Sequence, residues 1–266
     1  MAVHFPLKLV SSRMLAPTVR HLAFTRDDGA PLDFIPGQFV QVHFHYEDGT
    51  ATKRSYSLAT IHDHALGPGE TVEIAVSYVQ GGAATKLFES LDEGGRIEAS
   101  GPYGRFCLLP NDTNRRYLLI GTGTGVTPYR AMLPMIEKLM AERGIEVVLL
   151  FGARRPEELI YADDFHAFAD RHPGFRFVPC FSREMPDDPP PMDGHVSPEA
   201  GSRQRPQRDA RKGYVQDALP EFVPNADSDI AYLCGNPVMV DTCFEALKAF
   251  GLPVPHIRRE KYVSSK

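Results

Sequence analysis

A glycine-rich segment near the middle of the chain has the residue types that bind phosphate. GTGTG stands between the apolar run RYLLI, which is typical of a buried strand, and a run of helical periodicity. At such a junction, backbone N–H groups and the positive end of the helix dipole attract a pyrophosphate. Val126 stands where GxGxxG has its third glycine, so a glycine turn that serves only tight packing is the alternative. The candidate residues are Gly121, Thr122, Gly123, Thr124, Gly125 and Thr127. Thr127 is also expected to cap the helix.

Arginines follow the next two predicted strands. Where many NAD-binding domains have an acidic residue that holds the ribose hydroxyls, EVVLLF is followed by Gly152, Ala153 and Arg154. The strand FRFVPCF is followed by Ser182 and Arg183. A guanidinium group binds phosphate through paired hydrogen bonds, so these positions favour NADP(H) over NAD(H). Ordinary surface arginines are the alternative.

The first half of the chain contains groups that suit a flat heterocycle and its phosphates. RSYS supplies Arg54, Ser55, Tyr56 and Ser57, with Arg54 and Tyr56 on one side of an extended segment and the serines on the other. Arginine clamps phosphate, tyrosine stacks on a ring, and serine hydrogen-bonds a ring nitrogen. A second anion site is expected where GGAATKLFESL predicts a helix start. Its residues are Gly82, Ala83, Ala84 and Thr85.

The elements that would carry these groups follow two different patterns. In residues 1–112, Val40, Val42 and Phe44 alternate with polar residues, and turn sequences such as EDG and DEGG separate short runs. This pattern suits an antiparallel barrel or sandwich, and we interpret it as an antiparallel β-barrel. In residues 113–266, apolar strands alternate with helical runs, which predicts an α/β domain with a parallel sheet. Residues 185–211 contain six prolines and no usable periodicity, so we expect a mobile surface loop there.

Composition excludes several classes of protein. Lys plus Arg number 29 and Asp plus Glu number 34, and the resulting net charge of −5 gives no overall reason to bind nucleic acid or an anionic membrane. The four cysteines form no CxxC pair, which argues against an iron–sulfur cluster or a zinc site, and the histidine pair His43 and His45 lacks a ligand set. We expect no metal, no signal peptide and no membrane span, and a cytoplasmic location.

Ten short motifs occur in an order that resembles the ferredoxin–NADP+ reductase flavoproteins. They are PGQF, RSYS, GGAATKL, GPYGRF, GTGTGVTP, GAR, SRE, KGYVQD, CGNPVMV and a terminal REKY, and together they cover nearly the whole chain. The resemblance implies an FAD-binding antiparallel barrel followed by an NADP-binding α/β domain, with the two cofactors meeting where the domains meet.

The resemblance also implies a role for each matching residue. Arg54 would bind the FAD pyrophosphate, Tyr56 would stack on the isoalloxazine ring, Ser57 would lie beside flavin N5, and residues 82–85 would cradle the FAD phosphates. Residues 121–127 would bind the nicotinamide side of NADP(H). The 2′-phosphate and adenine would contact Arg154, Ser182, Arg183 and Tyr214.

Three residues near the C-terminus are implied to lie at the reacting atoms. Cys234 would lie near the reactive nicotinamide carbon, although a buried packing role is the alternative. Glu260 would lie near the flavin edge as a proton-relay or orienting group. Family members often end in an aromatic residue that covers the flavin, whereas Tyr262 is followed by four more residues. Either Tyr262 is the cover, or the tail shields the flavin.

The implied reaction moves electrons between NADP(H) and a one-electron carrier through FAD, with hydride passed to flavin N5. The expected partner is a ferredoxin or flavodoxin, which would dock transiently on a monomer. Such carriers are usually acidic, so five basic residues are candidates for the contact: Arg105, Arg115, Arg258, Arg259 and Lys261. The alternatives are a flavin reductase or oxygenase reductase component, and a non-catalytic flavin-binding module.

Overall fold

The described residues form two six-stranded sheets connected by residues 104–115. A computed structural model describes residues 3–186 and 209–263. The elements are β1 (Val3–Ala16), β2 (Val19–Arg26), β3 (Phe39–His45), β4 (Ala51–Ser57), β5 (Val72–Ser77), α1 (Ala83–Glu89), β6 (Arg96–Tyr103), β7 (Arg116–Thr122), α2 (Thr127–Arg143), β8 (Glu146–Ala153), α3 (Ala162–Arg171), β9 (Phe175–Phe181), β10 (Arg211–Lys212), α4 (Val215–Ala218), β11 (Asp229–Gly235), α5 (Pro237–Ala249) and β12 (Ile257–Lys261).

The first sheet is an antiparallel barrel. Its strand order is β4-β3-β6-β1-β2-β5. The two edge strands meet through a bridge between Leu58 and Ile74 and a 2.8 Å hydrogen bond from the Ala59 N–H to the Glu73 carbonyl. Alternate residues of β3 fill the interior, as the predicted period of two requires. Strand β4 ends at Ser57, on the side of the barrel that faces the second sheet.

The second sheet is parallel throughout and has the strand order β10-β9-β8-β7-β11-β12. Helices cover both of its faces, and for this reason the central strands are apolar on both sides. All six strands point the same way, so their carboxyl ends form one edge. The predicted two-domain class, a barrel followed by an α/β unit, is therefore confirmed. The proposed division at residue 112 falls within the connection between the sheets and stays a prediction.

The helix after the glycine-rich turn begins differently from the prediction. Met132, Leu133 and Ile136 form its buried stripe, and Gly144 ends it with a left-handed backbone (φ 61°), as expected. Thr127 does not cap it. A 3-10 turn over Gly123–Val126 leads directly into α2, so Val126 occupies the cap position and Thr127 is already helical. The cap prediction was wrong because it did not anticipate this extra turn.

The proline-rich tract lies mostly outside the described residues. Residues 187–208 of the predicted mobile loop belong to that part of the chain. The predicted loop extends one residue too far, because Arg211 belongs to β10. Arg211 and Lys212 pair there with Cys180 and Phe181 of β9. Within residues 3–186 and 209–263, no helix is both long enough and apolar enough to cross a bilayer.

Candidate active site between the two sheets

Four side chains meet where the barrel faces the parallel sheet. Three of them lie on strands, and the fourth follows β12. Ser57 ends β4, Cys234 lies at the carboxyl end of β11, and Glu260 pairs with Cys234 on β12. The Tyr262 hydroxyl lies 2.5 Å from Ser57 Oγ and also contacts the Cys234 thiol. The Glu260 carboxyl faces the same Ser57 hydroxyl. Ser57, Cys234 and Glu260, which were predicted from separate motifs, thus lie together.

Burial controls the protonation of this cluster. It raises the pKa of the Glu260 carboxyl to about 7, although hydrogen bonding to Ser57 opposes the shift. It raises the pKa of the Cys234 thiol and of the Tyr262 hydroxyl far above their ordinary values, and nearby Glu260 adds to both shifts. Glu260 is therefore the member of the cluster that gains or loses a proton near neutral pH, while the thiol and the phenol stay neutral.

The RSYS segment forms the last four residues of β4. Arg54 donates hydrogen bonds to the Tyr46 hydroxyl (2.8 Å) and to the Lys53 carbonyl (2.9 Å). The half-buried Tyr56 ring packs edge-on against Phe88 of α1, with centroids 5.4 Å apart and planes at 89°. Ser55 is exposed on the opposite side, and the predicted alternation is thus present.

The GGAAT segment is held next to RSYS. Thr85 Oγ1 accepts a hydrogen bond from the Val79 N–H (2.8 Å), which fixes the loop before α1. Lys86 forms an ion pair with Glu47 in the turn between β3 and β4. Gly82 is the N-cap of α1 without a side-chain cap, and Ala83 and Ala84 form the first turn. The two predicted flavin-binding motifs are thus brought together across one end of the barrel.

The glycine-rich turn combines a packed glycine with an open one. A Cβ at Gly125 would lie 2.7 Å from the Gly235 Cα, whereas a Cβ at Gly123 would meet nothing within 4 Å. Gly121 also leaves no room, because a Cβ there would lie 2.9 Å from Val126 Cγ1. The Thr127 hydroxyl is buried and has no hydrogen-bond partner among the described residues. Open backbone and an unpartnered hydroxyl at one strand edge fit a bound pyridine nucleotide.

The two threonines of this turn connect it to its neighbours. Thr122 Oγ1 accepts a hydrogen bond from the Asn236 N–H (3.0 Å), and Thr124 Oγ1 lies 3.4 Å from Ser77 Oγ of the barrel. Asn236 was missed in the sequence. Its side chain caps α5 by accepting from the N–H groups of the next helical residues, Val238 and Met239. An asparagine directly before a proline and a periodic run was the available signal.

The predicted 2′-phosphate residues lie at adjacent strand ends. Arg183 N–H donates to the Arg154 carbonyl (3.0 Å), and Ser182 N–H donates to the Ala153 carbonyl (3.1 Å). Tyr214 is 61% exposed and follows Gly213, whose N–H donates to the carbonyl at the end of β9. These four residues therefore share one edge of the sheet, and their roles stay predictions.

A buried ionic cluster joins the two sheets and was also missed. Arg130 on α2 donates through Nη1 to Glu73 Oε2 and to the Ala59 carbonyl of the barrel, both at 2.6 Å. Through Nε it donates to Asp164 Oδ2 on α3, also at 2.6 Å. Arg130 and Glu73 are 57 positions apart, and no sequence pattern pairs them.

Three of the five basic candidates gather beside Glu260. A cavity of about 330 Å³ is lined by Arg105, Phe106, Ile257, Arg258, Arg259 and Glu260. Lys261 lies next to it but forms an ion pair with Asp241. Arg115 precedes β7, and therefore lies at the amino edge of the sheet, away from the cluster. In the described part of the chain, no group of three or more His, Cys, Asp or Glu side chains is arranged to hold a metal ion.

Comparisons with known proteins agree with the two-domain fold. Residues 6–107 match an oxidoreductase FAD-binding domain, and residues 119–244 match an oxidoreductase NAD-binding domain. Ferredoxin–NADP reductase B of Sorangium cellulosum is 32% identical over 265 residues, which cover 97% of each chain. The reductase subunit of an aromatic O-demethylase from Amycolatopsis is 34% identical over 87% of this chain, but the chain spans 62% of that relative's length.

Solved structures of the same architecture add to the comparison. The cytochrome P450 reductase GcoB of Amycolatopsis superposes with a TM-score of 0.79 at 31% identity, over 98% of this chain and 70% of that one. A ferredoxin NADP+ reductase from Neisseria gonorrhoeae with bound FAD and NADP superposes with a TM-score of 0.76 at 22% identity, over 97% and 98%. The ordered motifs, the fold and the nearly full-length relative agree, and this chain belongs to the ferredoxin–NADP+ reductase family of FAD- and NAD(P)-binding oxidoreductases.

Proposed function

We propose that this protein is an NADPH-dependent flavoenzyme that passes electrons singly to a small acidic carrier, a ferredoxin or a flavodoxin. The observation that carries the proposal is the cluster of Ser57, Cys234, Glu260 and Tyr262, in which barrel and parallel sheet each contribute to one site. A bound flavin supplies the chemistry, because it accepts a hydride and releases electrons one at a time. The protein supplies the placement of the two nucleotides.

In this proposal each half of the chain holds one cofactor. Arg54 and residues 82–85 bind the FAD phosphates, Tyr56 packs on its ring, and Ser57 hydrogen-bonds the ring edge. Residues 121–127 bind the nicotinamide end of NADPH, where the buried Thr127 hydroxyl has no hydrogen-bond partner among the described residues. Holding reacting groups in near-attack geometry removes much of the entropic barrier.

Glu260 holds and moves a proton in this scheme. Its pKa of about 7 lets the carboxyl exchange a proton near neutral pH, and its position beside Ser57 directs that proton to the flavin edge. Tyr262 covers the space between Ser57 and Cys234, so we propose that its ring moves when nicotinamide binds. The position of the last three residues, which would test the alternative cover, lies outside the described part of the chain.

The acidic carrier is proposed to dock on the cavity beside Glu260. Arg105, Arg258 and Arg259 place positive charge there on a chain whose net charge is −5. A local patch of this kind attracts and orients an acidic partner even when the total charge repels it.

All four cysteines are free, which supports the proposed cytoplasmic location.

Anaerobic titration of the purified, flavin-loaded protein tests the proposal. NADPH should bleach the flavin absorption, and an added ferredoxin or flavodoxin should restore it in one-electron steps. Because the guanidinium groups of Arg154 and Arg183 favour a 2′-phosphate, we expect NADPH to bleach the flavin at lower concentration than NADH. A protein that binds flavin but is bleached by neither nucleotide would be a non-catalytic module.

A second candidate is the reductase component of an oxygenase. The 34% identity to the O-demethylase reductase subunit favours it, and the chain spans 62% of that relative. The same titrated protein distinguishes the two. Rapid reduction of an oxygenase component, with slow reduction of both ferredoxin and flavodoxin, would favour this second function.

A further inference from the structure

An acidic residue folds back onto the arginine that is proposed to bind the 2′-phosphate. Glu158 ends a 3-10 turn over Pro156–Glu158, directly after β8. Its Oε2 accepts hydrogen bonds from the backbone N–H and from Nε of Arg154, both at 3.0 Å. Its Oε1 lies 2.5 Å from Nη2 of Arg154. One edge of the guanidinium is thus fully occupied by the carboxylate.

Glu158 carries its charge at neutral pH. Burial alone would raise the pKa of its carboxyl, but the hydrogen bonds and charge of Arg154 outweigh burial and lower the pKa. The Glu158 side chain is 22% exposed, while the Arg154 side chain is 56% exposed. The carboxylate therefore lies behind the guanidinium, and the free edge of Arg154 still faces solvent.

The described segments that directly follow β8 and β9 carry equal numbers of arginines and glutamates. Arg155 lies 3.7 Å from Glu157 and 3.5 Å from Glu184, so it also has acidic neighbours. Three arginines and three glutamates share this edge: Arg154, Arg155, Arg183, Glu157, Glu158 and Glu184. Among the ion pairs within the described residues, none involves Arg183. Within the described residues, an incoming phosphate thus meets Arg183 without an ion pair and Arg154 already paired with Glu158.

A carboxylate at this position acts differently on the two nucleotides. It repels a dianionic 2′-phosphate held by the same arginine, because the two negative charges are close together. A ribose 2′-hydroxyl carries no charge, so the carboxylate behind the guanidinium does not repel it. The pair therefore weakens NADPH binding and leaves NADH binding unchanged.

We propose that Glu158 is the residue that sets the preference between NADPH and NADH, by neutralising Arg154 and leaving Arg183 as the main cation for the 2′-phosphate. This inference rests on the proposed use of a pyridine nucleotide at this edge of the sheet. It predicts that the natural chain prefers NADPH only weakly, and that removal of one carboxylate charge makes the preference strong.

The test is Glu158→Gln, with Glu157→Gln as the matched control. Glutamine keeps an oxygen for the Arg154 N–H but removes the charge. We expect the ratio of kcat/KM for NADPH to that for NADH to rise about tenfold in E158Q, mainly through a lower KM for NADPH. Calorimetry should show that E158Q binds 2′,5′-ADP about tenfold more tightly and 5′-AMP unchanged, which is a readout independent of turnover. E157Q should resemble the natural chain.

A second variant separates charge from structure. Glu158→Asp keeps the charge and shortens the side chain, so its nucleotide preference should stay within about threefold of the natural one. Equal ratios in E158Q and the natural chain, or the same rise in E157Q, would overturn the inference, as would a rise in E158D as large as in E158Q. A natural chain whose flavin no pyridine nucleotide reduces would instead refute the proposed function; 2′,5′-ADP binding would still decide the role of Glu158.

Discussion

At the scale of single residues, burial moves the pKa of the Glu260 carboxyl into the neutral range, where a change of pH alters its protonation. Its carboxyl is neutral in the folded protein up to pH about 7, whereas the ordinary pKa is 4.5. A carboxyl of this kind favours the folded state fully below pH 4.5. The contribution is lost as pH rises from 4.5 through about 7, because the unfolded chain releases this proton while the folded protein still holds it, and above pH 7 the folded protein must bury the charge.

Replacing Glu260 with glutamine removes that pH dependence. We expect E260Q to melt roughly 3 °C or more above the natural chain at pH 8, and the difference to shrink towards zero at pH 5. Thermal melts of the flavin-loaded protein at both pH values measure it. Glu245→Gln, which removes an exposed carboxylate paired with Lys248, should show no such trend. A difference for E260Q that does not change with pH would contradict the raised pKa.

At the scale of elements, the turn between β7 and α2 depends on close approach to the end of β11. A Cβ at Gly125 would lie 2.6 Å from the Cys234 carbonyl carbon, so Gly125→Ala forces two backbone segments apart. We expect a loss of about 1–3 kcal/mol of unfolding free energy, together with weaker nicotinamide binding. Denaturant unfolding and nucleotide titration measure the two effects.

Gly123→Ala in the same turn is the control for this effect. Its Cβ meets nothing within 4 Å, and the substitution is costly only because the backbone φ is +54°. Its loss of stability should stay near 1 kcal/mol. Gly125 itself is not among the glycines with a left-handed backbone, so a loss in G125A no larger than that in G123A would contradict the predicted clash with Cys234.

Elements with local patterns were predictable, and pairings between distant residues were not. The alternation in β3 and the apolar run in β7 are visible within the sequence of each strand, so both strands were predicted. Motif order placed Ser57 and Glu260 at one site through a family resemblance. Ser57 and Tyr262 are 205 positions apart, and nothing in either segment encodes their hydrogen bond. Glu158 was missed because its contact with Arg154 depends on a turn that the periodicity of the sequence does not show.

At the scale of the whole molecule, Arg130 connects the barrel to the helices of the parallel-sheet half through hydrogen bonds. Its contact with the Ala59 carbonyl reaches the segment that follows Ser57, and Arg130 itself lies one helical turn after Thr127. Tyr161 packs under the guanidinium at 4.7 Å and accepts or donates a hydrogen bond at 2.9 Å with His21 of the barrel. The cluster therefore fixes the separation between the proposed flavin and nicotinamide positions.

Removing the charge of Arg130 should loosen this contact and destabilise the fold. In Arg130→Met, the carboxylates of Glu73 and Asp164 remain partly buried without their cation, which costs about 3–5 kcal/mol. We expect the loss to be smaller at pH 5 than at pH 8, because a charged His21 beside Glu73 then replaces part of the lost positive charge. His21, whose pKa burial lowers although Glu73 opposes the shift, faces the same carboxylates and gains a favourable charge only at low pH.

Thermal melts at pH 5 and pH 8 measure stability. The rate at which NADPH bleaches the flavin measures how well the two halves of the protein are positioned for hydride transfer. The triple variant Arg130→Met, Glu73→Gln, Asp164→Asn removes the stranded charges and should regain most of the stability at pH 8. It should still bleach more slowly than the natural chain, because no group then links the Ala59 carbonyl to α2. If the triple variant reduces flavin at the natural rate, Arg130 stabilises the fold without positioning the two halves for hydride transfer.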